Sequence, residues 1–228
     1  MPFGSRRGYS DYLTGRHIDN LRDAATFAHC VGFPLNLCVD INWDRTWLGD
    51  DPDGRVLDNL MELSRKWLKP RAGRFAYIEV RERPQEPTLR PNAHILVHCP
   101  VRLQPAFQAY IMEQLTRVCG GLSDKAVDFR RIGNGNATLR AALGRIDYLS
   151  KGLEQVEGER RGIHVRPQGR VHGKRSGVSQ DIGPAARRRY ARTVSAVEPT
   201  QSDGPVASVA ARVAEVLQGA TLGGATHG

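Results

Sequence analysis

Two short segments hold the residues of this chain that could do chemistry: NAHILVH at Asn92–His98 and YLSK at Tyr148–Lys151. The first sets an amide and an imidazole at alternate positions of a strand-like run, a spacing that suits a divalent ion. The second sets a phenol and an ammonium three residues apart, on one face of a helix. A phenol attacks poorly at neutral pH, but a metal-polarised phosphate and a neighbouring ammonium both favour the attack. The chemistry open to the pair is metal-assisted transfer of a phosphoester onto tyrosine. Each half also has a plainer reading, a packed strand histidine and an exposed aromatic beside its lysine.

Strand geometry selects among the ligands. With a period of two, Asn92, His94, Leu96 and His98 share one face, and Ala93, Ile95 and Val97 the other. Asn92 and His94 stand about 7 Å apart and can converge on one ion, whereas His94 and His98 are separated by roughly 13 Å. A helix would make His94 and His98 an i,i+4 pair, but the β-branched residues and the flanking Pro91 and Pro100 oppose it, and no glutamate follows His94 as HExxH requires. An oxygen ligand is needed besides. Glu79 is the leading candidate because neighbouring hairpin strands lie about 5 Å apart; Glu82 and Glu86 lie nearer the loop. His94, Glu79 and Asn92 together suit Mg²⁺ or Mn²⁺, which favour oxygen.

The elements that must position these groups follow from patterning. Leu35–Trp43 alternates strictly and predicts a half-buried strand; Phe75–Arg83 and Asn92–Cys99 predict two more, joined as a hairpin, and Ala126–Ile132 a fourth. Apolar stripes predict helices near Ile18–His29, Val56–Leu68 (ended by Pro70 and Gly73), Pro105–Val118 and Ala137–Leu153, with weaker strands among Ile163–Val171. This order predicts an α+β fold, a central antiparallel sheet of about five strands with helices covering one side. Residues 1–27 read as a lead-in, 28–158 as the core, 159–192 as a basic extension and 193–228 as a flexible Ala/Gly-rich tail with a short helix at Val206–Leu217.

The 228 residues carry 33 Lys and Arg against 24 Asp and Glu, a net charge of +9 that favours a polyanionic partner. The excess is concentrated: Arg160–Arg192 holds ten basic residues and one acid, Asp181. Arg187, Arg188 and Arg189 are its densest group, and Lys174 and Arg175, beside Gly173, suit a close backbone contact to phosphate. No apolar run approaches the roughly 18–20 residues that span a bilayer. No hydrophobic stretch follows the N-terminal charges as in a secretory signal. The four cysteines form no CxxC knuckle, which argues for reduced thiols and a cytoplasmic location rather than a zinc module.

The strand and helix motifs, in this order, resemble the HUH endonucleases, and more closely the Rep-like rolling-circle replication initiators of plasmids and phages. The resemblance runs over roughly residues 28–190, through Leu35–Trp43, the Tyr77–Glu79 strand, His94–Pro100, YLSKG and GKRSGVSQDIGPAAR at Gly173–Arg187. It implies an RRM-like antiparallel sheet, Tyr148 as nucleophile with Lys151 beside it, and a metal held by His94, Glu79 and residue 92. It further implies nicking of single-stranded or hairpin origin DNA through a 5′-phosphotyrosyl link. Residue 92 is Asn where the family pattern has His. His98 is then structural or contacts DNA. No Walker A motif is present, so a host helicase and the replication machinery are the expected partners. Two alternatives stay open: a DNA-binding protein of this fold that has lost nicking, and an RRM-like RNA-binding or structural protein.

Overall fold

The computed structural model describes residues 8–85, 90–133, 135 and 137–196; the helix expected at Val206–Leu217 and the candidate Glu86 lie outside them. In chain order the elements are β1 (Tyr9–Ser10), α1 (Gly15–Cys30), β2 (Leu37–Asn42), α2 (Arg55–Ala72), β3 (Tyr77–Glu82), β4 (Asn92–Val97), α3 (Gln104–Cys119), β5 (Val127–Arg131), α4 (Ala137–Leu149), α5 (Gln155–Arg160), β6 (Val171–His172), β7 (Ser176–Val178) and α6 (Pro184–Ala196). Five strands form an antiparallel sheet in the order β5-β2-β4-β3-β7, so β4 is central and carries a partner on each edge. The fold is α+β, with helices on both faces of the sheet.

One-sided cover was the expectation, and the side chains explain the second layer. One face presents Leu37, Val39, Ile41, Ala93, Ile95 and Val97, and α2 and α3 bury it with Leu57, Leu60, Phe107 and Ile111. The other is apolar only in part: Ile78, Val80 and Leu96 pack under α1, α4 and α6 through Ile18, Leu21, Ala142, Ile146 and Ala186. Farther along the same face the rows become Asp40–His94–Val80 and Asn42–Asn92–Glu82, which are polar.

Three boundaries differ from the sequence reading. Residues assigned to a lead-in form α1, capped by Thr14, with Ile18, Leu21, Ala24, Phe27 and Ala28 in the core. The fifth strand is β7 rather than a segment of 163–171, so the basic extension belongs to the sheet. α2 runs through Pro70 to Ala72, because a proline in the last turn removes only one hydrogen bond, and left-handed Gly73 closes it.

Arg175 ties the extension to the body. It is 2% exposed. Its guanidinium donates to the carbonyls of Ser10 at 2.9 Å, Asp11 at 3.2 Å, Arg81 at 3.3 Å and Gly169, and lies 3.4 Å from Gln168 Oε1. Burial, with Arg81 beside it, lowers its pKa to about 10, so it stays charged at neutral pH. This corrects the expectation of a DNA contact: the side chain is a strut, and the sequence could not distinguish it from exposed Lys174 next to it. Arg175→Ala is expected to lower the unfolding free energy by about 3 kcal/mol, since several buried carbonyls lose their donor, while exposed Arg188→Ala changes it by less than about 0.5 kcal/mol. Urea denaturation of the two variants measures the contrast.

Candidate active site

The polar half of the α4 face is organised around His94. The imidazole is 8% exposed. Its Nδ1 lies 2.6 Å from Asp40 Oδ1 on β2, and its Nε2 lies 3.3 Å from Glu82 Oε2 on β3. The contact to Glu82 is an ion-pair distance without hydrogen-bond direction, and among the described residues both His94 Nε2 and Glu82 Oε1 are buried with no hydrogen-bond partner. Asp40 also receives Arg130 from β5 at 2.5 Å and Arg145 from α4 at 2.7 and 2.8 Å.

The nucleophile candidate joins this network through Lys151 and Arg145. α4 ends at Leu149, and Ser150–Gly152 tightens into a 3₁₀ turn rather than continuing the helix to Leu153 as the stripe suggested. Side chains three apart draw into register in a 3₁₀ turn. Lys151 Nζ lies 4.0 Å from the Tyr148 ring centroid, donates to the Tyr148 hydroxyl at 2.9 Å, and pairs with Glu82 Oε2 at 3.1 Å. Arg145 Cζ lies 4.8 Å from the same ring centroid. Tyr148 is 50% exposed, so its hydroxyl is held from within and open from without. A continuous chain runs Arg130–Asp40–His94–Glu82–Lys151–Tyr148.

Burial works against each ion here, and the partners overcome it. Burial would raise the Asp40 carboxyl, yet the hydrogen bond and charge of His94, with Arg145 and Arg130, hold it well below the usual carboxylate range. Glu82 is likewise pushed up by burial and brought below its ordinary value by His94 and Lys151. Burial lowers His94, but Asp40 and Glu82 outweigh it and raise the pKa above the ordinary imidazole value. With His94 protonated, four cations face two carboxylates, a surplus suited to a phosphodiester.

The expected metal ligands divide. Glu79 pairs with Ile95 and Gly177, so its side chain lies on the α2/α3 face, away from His94. This corrects its assignment as a ligand alongside His94; the hairpin register, which the loop sequence did not reveal, puts Glu82 in that place. Asn92 shares the His94 face, and its Nδ2 donates to the Arg90 carbonyl at 2.8 Å. Across from it, Asn42 Oδ1 is buried without a hydrogen-bond partner. Among the described residues no group of three or more His, Cys, Asp or Glu is arranged to hold a metal. One imidazole, one carboxylate and two amides, three of them with orphaned buried atoms, fit an oxygen-preferring ion such as Mg²⁺ or Mn²⁺ and not a zinc site.

The remaining candidates also separate. His98 is structural: its Nδ1 meets the Pro34 carbonyl at 2.8 Å and its ring meets Phe33 edge-on. Arg187 is a tether rather than a free cation, donating to the Ile182 carbonyl at 3.1 Å and Asn20 Oδ1 at 2.8 Å. Lys174, Arg188 and Arg189 are exposed. Asp40, Arg130 and Arg145 were not singled out from the sequence; the available signal was an aspartate on the non-core side of an otherwise apolar strand. The sequence matches no protein-family model, and no curated protein is similar to it.

Glu79 itself has a measurable consequence. It is half-buried, with Oε2 unpartnered. Burial, then the charge of Asp58, pushes its carboxyl up to about 7 against the pull of Arg81 and Lys174. A carboxyl whose folded pKa exceeds the unfolded value of about 4.3 holds its proton more tightly when folded, so stability falls as pH rises from about 4 to 7 and the cost, at most about 4 kcal/mol, is complete above that. Glu79→Gln is expected to stabilise the protein by about 1–3 kcal/mol at pH 8 and by nothing at pH 4. Urea melts at the two pH values test this, and an equal gain at both would contradict it.

Proposed function

We propose that this chain is a tyrosine-dependent, single-strand DNA-nicking enzyme of the HUH endonuclease type that initiates rolling-circle replication. One observation carries the reading: Lys151 bonds both Tyr148 and Glu82, and Glu82 faces His94, so two motifs far apart in sequence meet through three consecutive contacts. The sheet, with the histidine on its central strand and the tyrosine at the end of a covering helix, is compatible with that family's RRM-like fold.

In the proposed reaction the Tyr148 oxygen bonds to the scissile phosphorus as the bond from phosphorus to the 3′ oxygen breaks. The tyrosine proton leaves to solvent, the 3′ oxygen takes one up as a primer hydroxyl, and the 5′ phosphate stays on tyrosine. Lys151 acts on the phenol oxygen, which accepts its hydrogen bond and so keeps a lone pair oriented and its growing negative charge compensated. Arg145, over the same ring, helps to fix it. Asp40 holds the His94 Nδ1 proton, which leaves Nε2 as the ligand atom once neutral. A divalent ion held by His94, Glu82 and the Asn42 and Asn92 amides would polarise the phosphate. Exposed Lys174, Arg188 and Arg189 suit backbone phosphates. A helicase and the remaining replication proteins would come from the host.

A second reading has its own support: His94 already bridges two carboxylates, and residue 92 is an amide, as in a DNA-binding protein that has lost nicking. Labelled single-stranded oligonucleotides with Mn²⁺ separate the two. The enzyme is expected to form a denaturant-resistant adduct that Tyr148→Phe abolishes and Lys151→Ala reduces at least tenfold. Binding without an adduct favours the second reading, and preference for RNA without DNA affinity favours an RNA-binding protein. Calorimetry with Mn²⁺ is expected to show weak binding that strengthens with rising pH, as His94 releases its proton, and that His94→Ala removes. Equal binding by both proteins would end the metal assignment.

A further inference from the structure

One cavity opens beside Lys151 and a second adjoins it. The larger, about 480 Å³, lies within the range of small-ligand sites and has Glu82 and Lys151 at one end, with Pro84, Gln85, Arg166 and Pro167 on its walls. The smaller, about 250 Å³, shares Gln85, Arg166 and Pro167 and continues past Leu153 and Val165 to Tyr12, with the acids Asp11 and Glu154 also on its wall. The shared wall is built rather than incidental. Pro84 bridges Gln168, the Gln85 side chain donates to the Gln168 carbonyl at 2.9 Å, and Arg166 N donates to the Lys151 carbonyl at 2.8 Å. That last bond couples the cavity wall to the turn carrying the lysine.

The lining chemistry is specific. Two proline rings and half-buried Val165 offer apolar surface, and among the described residues the Gln85 carboxamide oxygen has no donor and the exposed Arg166 guanidinium no ion-pair partner. Tyr12, 43% exposed, offers an aromatic face at the far end. Apolar slots with a hydrogen-bonding edge, a free cation and a stacking ring are what successive nucleotides require.

We propose that the two cavities are subsites for two consecutive nucleotides of the single strand on one side of the scissile phosphate. The first base lies between Pro84 and Pro167 with Gln85 at its edge and Arg166 on its phosphate; the second stacks on Tyr12. The assignment rests on the nicking reading for its register, and it makes Gln85, Arg166 and Tyr12 the specificity-determining residues.

The test uses full-length Tyr148→Phe, which binds without reacting, and the single-stranded oligonucleotide that gives the adduct with the wild type or, if none does, the one bound most tightly. Abasic sites are moved along it while affinity is measured by anisotropy. Two adjacent positions are expected to lose about tenfold each. Adding Gln85→Ala or Arg166→Ala should weaken the intact strand and erase the loss at one position only; adding Tyr12→Ala should erase it at its neighbour. A flat abasic profile, or three variants that leave affinity and profile unchanged, overturns the proposal. If the subsite pattern appears while the wild type forms no adduct, the nicking reading fails and the subsites stand. No single-strand binding by any form overturns both.

Discussion

The burial of His94 between two carboxylates on the central strand is the constraint around which this fold is arranged. An imidazolium in that position costs several kcal/mol of desolvation unless it is paired on both sides. β4 has a neighbour on each edge, and here β2 supplies Asp40 and β3 supplies Glu82. Those acids in turn need cations. Arg130 arrives from β5, and Arg145 and Lys151 from α4 and the turn that follows it. The polar network thereby fixes where α4 must end, because a helix displaced along the sheet would leave Asp40 and Glu82 short of their partners.

The apolar half of the same sheet face does the holding. Ile146 and Leu149 pack into the core with Leu13, Ile18 and Leu21, so α1 and α4 are seated together beside the polar rows. The chain before α1 also grips the turn that carries Lys151 directly: Leu13 N donates to the Gly152 carbonyl at 2.7 Å and Glu154 N to the Leu13 carbonyl at 2.9 Å. A short 3₁₀ turn has poor internal hydrogen bonds. Pinned on both sides by Leu13, it holds Lys151 between Tyr148 and Glu82 without needing length of its own. The segment that reads as a polar lead-in is thus part of what aims the lysine.

Much of this was legible in the chain. Alternation in LCVDIN and NAHILV marked two strands and told which residues share a face, and the stripe through Leu139, Ile146 and Leu149 marked the helix that leaves Tyr148 outward. Register was not legible. Whether Glu79 or Glu82 meets His94 depends on an odd or even offset across the β3–β4 loop, and a one-residue change there exchanges the faces entirely. Long-range pairing was equally hidden: β7 reaches β3 from about a hundred residues away, with only three residues and a glycine that Glu79 needs, since a side chain at Gly177 would meet Glu79 Oε1 at 2.5 Å. Arg175 and Arg187 show the same limit for charge. A basic run says how many cations exist, and packing decides which of them remain available to a partner.

Glu82 is where the two halves of the site depend on each other. Its Oε2 carries both the Lys151 ammonium and the approach of His94 Nε2, while Oε1 is buried and unpartnered. Because Lys151 and His94 approach the same oxygen, a shift of either bears on the other, while Oε1 stays a spare acceptor among the described residues. Strand side and helix side are therefore linked twice, through Glu82 to Lys151 and through Arg145, which bonds Asp40 and lies over the Tyr148 ring.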